Sequence, residues 1–356
     1  MTTTYRSSAA GLPDPVYVFS ALSCLGFFTQ WVVMLMNGSF VAMLLTTWNG
    51  IFPDSAPVKT WTGIWPIDFV LSLLVVFFGG VLDLVNLSDL APFLILIDLI
   101  FALVVCGLMT LVEDRRNRQT GPLRYSAFWQ IMWNYCGAGS VLPVYSRLYV
   151  KTRLANKPGI SHEQAQALPF TALWVVALSL PLLAPAVLGA TPFQIQNGIV
   201  VWFFSPLTVG PIQELVSALI SRLGFSKGMA SPVTIAYCIA GSVSAAAHLG
   251  VASWAFLSPE LSWSRIYWPD HGRVQQGPDL LTDAAVIFMQ YGHIVVQLCV
   301  LTLGIYTLGY ERLRTGHPVL MLVVVMAIAG PGAALAWLLC RSEEQMATGE
   351  AESKRS

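Results

Sequence analysis

Charged residues are scarce in this chain of 356 residues, because Asp, Glu, Lys and Arg together make up only 11% of it. A soluble domain usually carries about 25% of such residues. The 19 basic residues balance the 19 acidic ones, so the net charge gives no sign of a nucleic acid or an acidic partner. The shortage of charge argues against an ordinary water-soluble domain and indicates lipid as the main solvent of the fold.

Sequence motifs that bind metals or phosphates are also missing. No two of the six cysteines have the spacing of a metal-binding pair, so we interpret them as small apolar helix residues. The sequence contains no Asp-Asp-x-x-Asp run, no Walker A motif, and neither His-Glu-x-x-His nor Gly-x-Ser-x-Gly. Metal-driven ionisation of a prenyl diphosphate, ATP-driven pumping and serine hydrolysis are therefore disfavoured, and we expect no metal and no cofactor.

Long apolar runs are abundant by contrast. A spanning helix needs roughly 20 mostly apolar residues, and nine segments qualify: 16–36, 66–84, 92–112, 126–149, 168–188, 197–220, 232–257, 283–309 and 318–339. They predict an all-α, polytopic integral membrane helix bundle with eight to nine transmembrane segments and no soluble domain. Residues 1–340 form one transmembrane domain in this interpretation. Residues 341–356 form a polar tail that we expect to be disordered, and the Trp-rich segment 258–282 is expected to lie at the interface.

The fourth apolar segment, 126–149, does not fit a simple crossing. Basic loops precede and follow it, so a single crossing would place two equally basic loops on opposite faces. Gly137, Gly139 and Pro143 weaken a helix there, and a broken helix at membrane depth must line a protein cavity. We therefore predict that this segment dips in and returns, with eight full spans beside it and both basic loops in the cytosol.

Acidic residues inside apolar segments are candidates for chemistry, because an ionisable group is expensive in a bilayer. Asp68 opens the second apolar segment, where it is either an acid favoured by the helix dipole or a buried proton donor. Glu214 lies well inside the sixth segment and is either paired with a residue such as Arg222 or functional. Asp98, in the third segment, is explained about as well by pairing or by snorkelling.

Two histidines and their neighbours offer a second set of candidates. His293 and Gln290 are three residues apart and share one helix face, with Tyr291 between them. His293 either forms a hydrogen bond between helices or, in the functional interpretation, transfers protons. His248 lies among small residues, which favours a packing role.

Aromatic and amide side chains mark the fourth segment. Trp129 and Trp133 are four residues apart and form a parallel aromatic pair. Asn134 follows them, and Tyr145 lies beyond the glycines. Helix packing explains any one of these residues, but together they are candidates for contact with a substrate.

Several short segments resemble the membrane-bound ascI-type terpene cyclases of fungal meroterpenoid biosynthesis, which include the ascofuranone, ascochlorin and macrophorin cyclases. The segments are Trp65-Pro66-Ile67-Asp68, Val112-Glu113-Asp114-Arg115-Arg116, Gly137-Ala138-Gly139, Leu142-Pro143-Val144-Tyr145 and Phe288-Met289-Gln290-Tyr291. Their order and spacing cover most of the chain. One departure is that an acid is expected after the tyrosine, where this chain has Gly292-His293.

The resemblance implies cyclisation of a farnesylated aromatic or quinone-like substrate, begun by protonation of a terminal epoxide or olefin. No metal or redox cofactor is implied, and the protein is expected in the endoplasmic reticulum, together with other enzymes of its pathway. On this basis Asp68 is the expected proton donor and Glu214 the second candidate. Tyr145, Tyr291 and His293 are expected as hydrogen-bond partners or as the final base.

Other classes of function remain open from the sequence. A transporter would use Glu214, His248 and His293 as a proton path, and it would show internal repeats and a continuous polar pathway. A non-catalytic scaffold would pair its buried acids and leave no large cavity. A lipid-modifying transferase is disfavoured by the missing nucleophile and metal motifs. A cyclase instead predicts a closed, aromatic-lined pocket with an acid at its end.

Overall fold

The structure is a computed structural model of the chain. It describes residues 12–52, 57–87, 89–116, 121–155, 159–223, 231–259, 261–274, 277, 279–308 and 317–353. Within these residues the regular structure is helical, apart from one isolated antiparallel bridge between Ile51 and Pro57.

Fifteen α-helices are present in the described ranges. The first seven are α1 (Pro15–Phe27), α2 (Val33–Met36), α3 (Ser39–Asn49), α4 (Trp65–Leu82), α5 (Ala91–Arg116), α6 (Ser126–Cys136) and α7 (Ala138–Ala155). The others are α8 (His162–Ala177), α9 (Leu180–Val187), α10 (Pro192–Phe204), α11 (Pro206–Leu223), α12 (Pro232–Leu257), α13 (Trp263–Tyr267), α14 (Leu280–Leu308) and α15 (His317–Ser353). A π-helical turn, Phe28–Val32, joins α1 to α2.

Seven of the described helical segments are long and apolar enough to cross a membrane, and an eighth is counted if α10 and α11, bent by 56°, form one span. The predicted all-α polytopic helix bundle is confirmed, and it is compatible with an integral membrane protein. The predicted segment 126–149 is not among these helices, because a break divides it.

The break lies at Gly137, whose φ of 88° favours glycine. The rings of Trp129 on α6 and Tyr145 on α7 lie 5.5 Å apart, whereas residues sixteen apart on a straight helix are separated by about 24 Å. Helices α6 and α7 therefore fold back on each other as a hairpin. The fold-back of this segment agrees with the predicted dip and return, while its place in a membrane and the cytosolic side of the basic loops stay predictions.

A second hairpin lies within α15, at Gly330, whose φ is 84°. A side chain placed on Gly304 would meet both Leu322 and Leu338, which lie on opposite sides of the break. A straight helix would again separate these two leucines by about 24 Å. The segment 318–339 was predicted to be a full span, and α15 is one of the seven segments counted by length and composition. This contact nevertheless shows that its two arms lie side by side.

Both hairpins begin and end at one end of the bundle, which we call the basic end because it carries Arg115 and Arg116. The turn Pro122–Arg124 packs there against α7, and Arg116 lies 2.5 Å from Glu343 on the returning arm of α15. The predicted basic loops flank this end, although residues 117–120 and 156–158 lie outside the described residues. The tail, expected to be disordered, continues α15 as a helix to Ser353.

The opposite end is covered by residues 258–259 and 261–274, which we call the cap. Arg265 of the cap lies 2.9 Å from Asp89 and 3.4 Å from Asp283. The amide of Gln290 donates to the carbonyl oxygens of Arg265 and Ile266, both at 3.0 Å. These bonds hold α13 against α5 and α14, while Trp268 stays 70% exposed.

Candidate active site

An aromatic-lined cavity of about 240 Å³ lies inside the bundle. Helices α3, α4, α5, α6, α10 and α14 contribute to its wall, together with the π-helical turn. Its aromatic lining consists of Trp31, Phe40, Phe77, Phe78, Trp133, Tyr135, Trp202 and Phe288. We call it the aromatic cavity.

The π-helical turn places two side chains in this wall. The indole nitrogen of Trp31 donates to the carbonyl oxygen of Cys136 at 2.7 Å, which satisfies a carbonyl left without a helical partner by the break at Gly137. The amide of Gln30 donates to the carbonyl oxygen of Phe288 at 3.2 Å and accepts from Ser140 at 3.3 Å. A π-helical turn often marks a functional site, and this one ties the tip of the first hairpin to α14.

The rings of the wall pack against one another edge to face. Phe288 lies 5.1 Å from Phe77 and 5.3 Å from Trp31, and Phe78 lies 5.3 Å from Trp202, measured between ring centroids. A ring face attracts a cation, and a desolvated contact of this kind is worth about 2 kcal/mol. The cavity therefore suits an apolar substrate on which a positive charge develops.

A buried acid cluster lies beside the cavity, centred on Asp98 of α5. Its Oδ2 atom lies 2.8 Å from Nδ1 of His248, 2.8 Å from the hydroxyl of Tyr267 and 3.3 Å from Nε2 of His293. The Asp98 side chain is 1% exposed, and the two histidine side chains are 4% and 2% exposed. These contacts fall on one oxygen, Oδ2, and no hydrogen bond from a described residue reaches the other oxygen, Oδ1.

The acid cluster adjoins the cavity wall. Leu99, the neighbour of Asp98, and Met289, one helical turn before His293, both line the cavity. A side chain built on Gly292 would come within 2.8 Å of Gln30, which also lines it. On the other side, Gly330 at the tip of the second hairpin packs so closely that a Cβ would lie 2.7 Å from the His248 ring.

Tyr267 closes the acid cluster from the cap. Burial raises the pKa of its phenol, and the negative charge of Asp98 raises it further. The hydroxyl therefore stays protonated and donates to Asp98. The atoms of the cluster are arranged for direct hydrogen bonding, and no group of described residues has the arrangement of a metal site.

Asp68, the expected proton donor, lies in a different environment. Its carboxylate accepts hydrogen bonds from the backbone amides of Trp61, Thr62 and Gly63 at 2.8–3.0 Å, and from the Thr62 hydroxyl at 3.1 Å. Backbone amides that donate in this way favour the ionised form of a carboxylate. Here they make Asp68 a residue that orders the loop before α4. Asp68 is not among the residues that line the aromatic cavity, and its assignment as the donor stays a prediction.

Glu214, the second expected acid, lies at the basic end. It forms an ion pair with Arg115 and accepts a hydrogen bond of 3.0 Å from Gln164. A pairing was one of its two expected roles, but Arg222 was named as the example and the structure gives Arg115. Its catalytic assignment also stays a prediction.

The other expected site residues are divided among several places. Trp133 and Asn134 line the aromatic cavity, His293 belongs to the acid cluster, and Gln290 holds the cap. The remaining three lie away from both features: Trp129 and Tyr145 pack together between α6 and α7, and the hydroxyl of Tyr291 bonds His271 of the cap at 2.8 Å.

The sequence analysis did not predict that Asp98, His248 and Tyr267 contact one another, and it did not select Gln30 as a candidate. Gln30 is a polar residue in the middle of the first apolar run, and the cost of burying an unpaired polar group was a signal that could have found it. Asp98 and His248 were noticed singly. Their pairing, across 150 positions of sequence, carried no local signal.

Comparisons with known proteins give consistent results. The family model described as the CtvD domain matches residues 15–346. A protein named terpene cyclase DEP1 from Fusarium langsethiae is 27% identical over 360 residues, which cover 91% of this chain and 97% of the relative. Its namesake from Alternaria brassicicola is 28% identical over 367 residues, which cover 92% and 98%. No solved structure matches.

Proposed function

This chain belongs to the CtvD-domain family, and from that premise we propose that it is an integral membrane terpene cyclase acting on a farnesylated aromatic or quinone-type intermediate. Its relatives that are named terpene cyclases support a terpene cyclase function. The observation that carries the finer proposal is the aromatic cavity with a buried acid cluster beside it. A closed aromatic pocket beside an acid is the arrangement expected of a cyclase that starts by protonation.

The proposed reaction begins with a proton transferred from Asp98 to the terminal epoxide oxygen or olefin carbon of the prenyl chain. In the epoxide case the C–O bond breaks as the O–H bond forms, leaving a tertiary carbocation. A chain double bond then donates its electron pair to that carbon and closes a ring, which moves the positive charge along the chain. Loss of a C–H proton to the acid cluster ends the sequence, so the product is an isomer of the substrate.

Asp98 is preferred to Asp68 as the donor because of its surroundings. Three neighbouring side chains hold its Oδ2 atom and fix the carboxyl group, while Oδ1 takes no hydrogen bond from a described residue. Nε2 of His293 lies close to the same oxygen, and His293 is the proposed partner in the final deprotonation. The aromatic rings stabilise the migrating cation, and about 2 kcal/mol for one such contact corresponds to about a thirtyfold rate effect.

The transporter alternative is less well supported. It expects Glu214, His248 and His293 to form one proton path. His248 and His293 do meet at Asp98, but Glu214 pairs with Arg115 at the basic end. The lipophilic substrate of a cyclase would reach the aromatic cavity from the lipid, and we place the protein in the endoplasmic reticulum membrane beside other enzymes of its pathway.

Incubation of microsomes containing the protein with farnesylated phenols, epoxidised and not, tests the proposal. We expect LC–MS to show a product of unchanged mass that is absent with the Asp98→Asn variant. Asp68→Asn and Glu214→Gln serve as matched carboxyl controls. If folded wild-type protein forms no isomer from any of these substrates, the cyclase proposal is wrong, and flux measurements in proteoliposomes become the next experiment.

A further inference from the structure

A second and larger cavity, of about 640 Å³, opens at the cap end of the bundle. We call it the vestibule. Its wall is mixed: Phe52, Val76 and Ile195 are apolar, and polar side chains come from the loop after α4, from the cap and from the start of α14. A mixed wall of this kind fits a ring that carries polar groups on its edge.

Negative charge predominates among the polar residues of the vestibule. Asp83, Asp279 and Asp283 line it, and Arg265 is the one cation among its described lining residues. The guanidinium of Arg265 is paired with Asp283 and with Asp89, and Asp89 also lies 3.8 Å from Arg273. These four aspartates outnumber the two arginines, so a ligand in the vestibule meets an excess of carboxylate oxygens, which are hydrogen-bond acceptors.

The vestibule and the aromatic cavity share two helices. On α4, Phe77 faces the aromatic cavity and Val76 faces the vestibule; on α14, Phe288 and Leu281 divide in the same way. Val76, Phe77, Phe288 and Leu281 pack in one small apolar cluster between the two cavities. The two cavities are therefore neighbours, and this cluster packs between them.

We propose that the vestibule binds the head of the substrate and selects a neutral ring bearing hydroxyl groups over one bearing a carboxylate or a diphosphate. This inference rests on the proposed cyclase function. Hydroxyl groups donate hydrogen bonds to the carboxylates of the vestibule, whereas an anionic head meets like charge there. Asp279 is the most informative residue to mutate, because it is exposed and no described residue pairs with its side chain.

The test uses two farnesylated phenols that differ only in one ring substituent, a carboxylate or its methyl ester. We expect the ester to have a KM at least about tenfold lower with similar kcat, since about 1.4 kcal/mol of repulsion suffices for tenfold. Asp279→Asn should narrow this ratio, and Asp279→Lys should reverse it. Asp270→Asn is the control. It makes the same change of charge on the cap, at a residue that does not line the vestibule, and it should leave the ratio unchanged.

Equal KM values for the two substrates, or a ratio that Asp279→Lys does not alter, would overturn the head-group inference and leave the cyclase proposal standing. If neither substrate is cyclised, the cyclase proposal fails, and equilibrium binding then decides the inference. For this arm, quenching of tryptophan fluorescence in the detergent-solubilised chain is measured with the same pair. Tighter binding of the ester, weakened by Asp279→Lys, supports the vestibule as a head-group site, and equal binding refutes it.

Discussion

Replacing Asp98 by asparagine removes the ionisable carboxyl group from the acid cluster while preserving its shape. The side-chain oxygen of the new amide still accepts hydrogen bonds from Tyr267 and His248, which lie 2.8 Å from Oδ2 in the native chain, and Nε2 of His293 stays close by, at 3.3 Å. The amide cannot act as a general acid. The substitution therefore separates the chemistry of this residue from its packing better than an alanine substitution would.

The expected effect on turnover is large and the effect on stability is moderate. Loss of a positioned general acid lowers rates about 10²- to 10⁴-fold, which corresponds to about 3–5 kcal/mol in the activation free energy. Hydrogen bonds to a charged group contribute about 1.5–3 kcal/mol each, and the variant weakens such bonds without deleting them. We therefore expect a folded protein with a lower thermal unfolding temperature and little turnover.

The assay measures the initial rate of isomer formation per folded protein, with the folded fraction taken from size-exclusion chromatography. Asp68→Asn is the decisive comparison. It places an N–H donor against backbone amides that now donate to a carboxylate, so we expect lower thermal stability but retained turnover per folded molecule. Glu214→Gln breaks an ion pair with Arg115 and is expected to behave in the same way.

Two results would refute this reasoning. Turnover of Asp98→Asn within about threefold of wild type would exclude Asp98 as the proton donor, since general acid catalysis contributes at least about a hundredfold. A loss of about a hundredfold or more in folded Asp68→Asn protein, with Asp98→Asn active, would instead support the sequence-based assignment of Asp68.

Three further predictions concern the surroundings of the acid cluster. Tyr267→Phe removes one hydrogen bond to Asp98, worth at least about 1.5 kcal/mol for a charged acceptor, so kcat should fall about tenfold or more with KM unchanged in steady-state assays; a raised KM with unchanged kcat would contradict this. Phe288→Leu removes a ring from the cavity wall and should lower kcat about thirtyfold or release early-quenched products visible by LC–MS; an unchanged product profile and rate would argue against cation stabilisation. Gly330→Ala should abolish activity and lower the unfolding temperature more than Gly121→Ala. Both glycines have a positive φ, but only a Cβ at 330 would strike His248, and equal effects would show that backbone strain alone matters.

Composition and apolar run length were enough to predict the helical class of the fold, because few other structures satisfy the backbone in lipid. The break at Gly137 was predictable from the two basic loops around it. The second hairpin was missed, although Gly330-Pro331-Gly332 is a comparable interruption. It is not flanked by two equally basic loops, which were the signal for the first hairpin. An apolar run as long as residues 318–339 is also the length expected of a full span.

The candidate site was predictable only in part. Trp133, Asn134 and His293 were selected because polar and aromatic groups in apolar helices usually have a role, and the structure places them in or beside the aromatic cavity. Asp98 was named as a candidate that pairing or snorkelling explained about as well, since its partners come from α12, α13 and α14 and are not visible in the local sequence. Asp68 was selected because it lies at the start of a helix. At that position an aspartate can equally well accept hydrogen bonds from the preceding loop and order it.

The contacts at the two hairpin tips impose an order of assembly on the chain. The tip at Gly137 packs against Phe288, which the ribosome synthesises about 150 residues later, whereas the tip at Gly330 packs against His248, which is already in place when it emerges. An interrupted helix is not stable against lipid without protein around it. The first hairpin therefore has to remain outside the bilayer core, or under the protection of the insertion machinery, until α14 arrives. A truncated chain that ends before residue 280 should leave that hairpin open to protease, while the full-length chain should protect it.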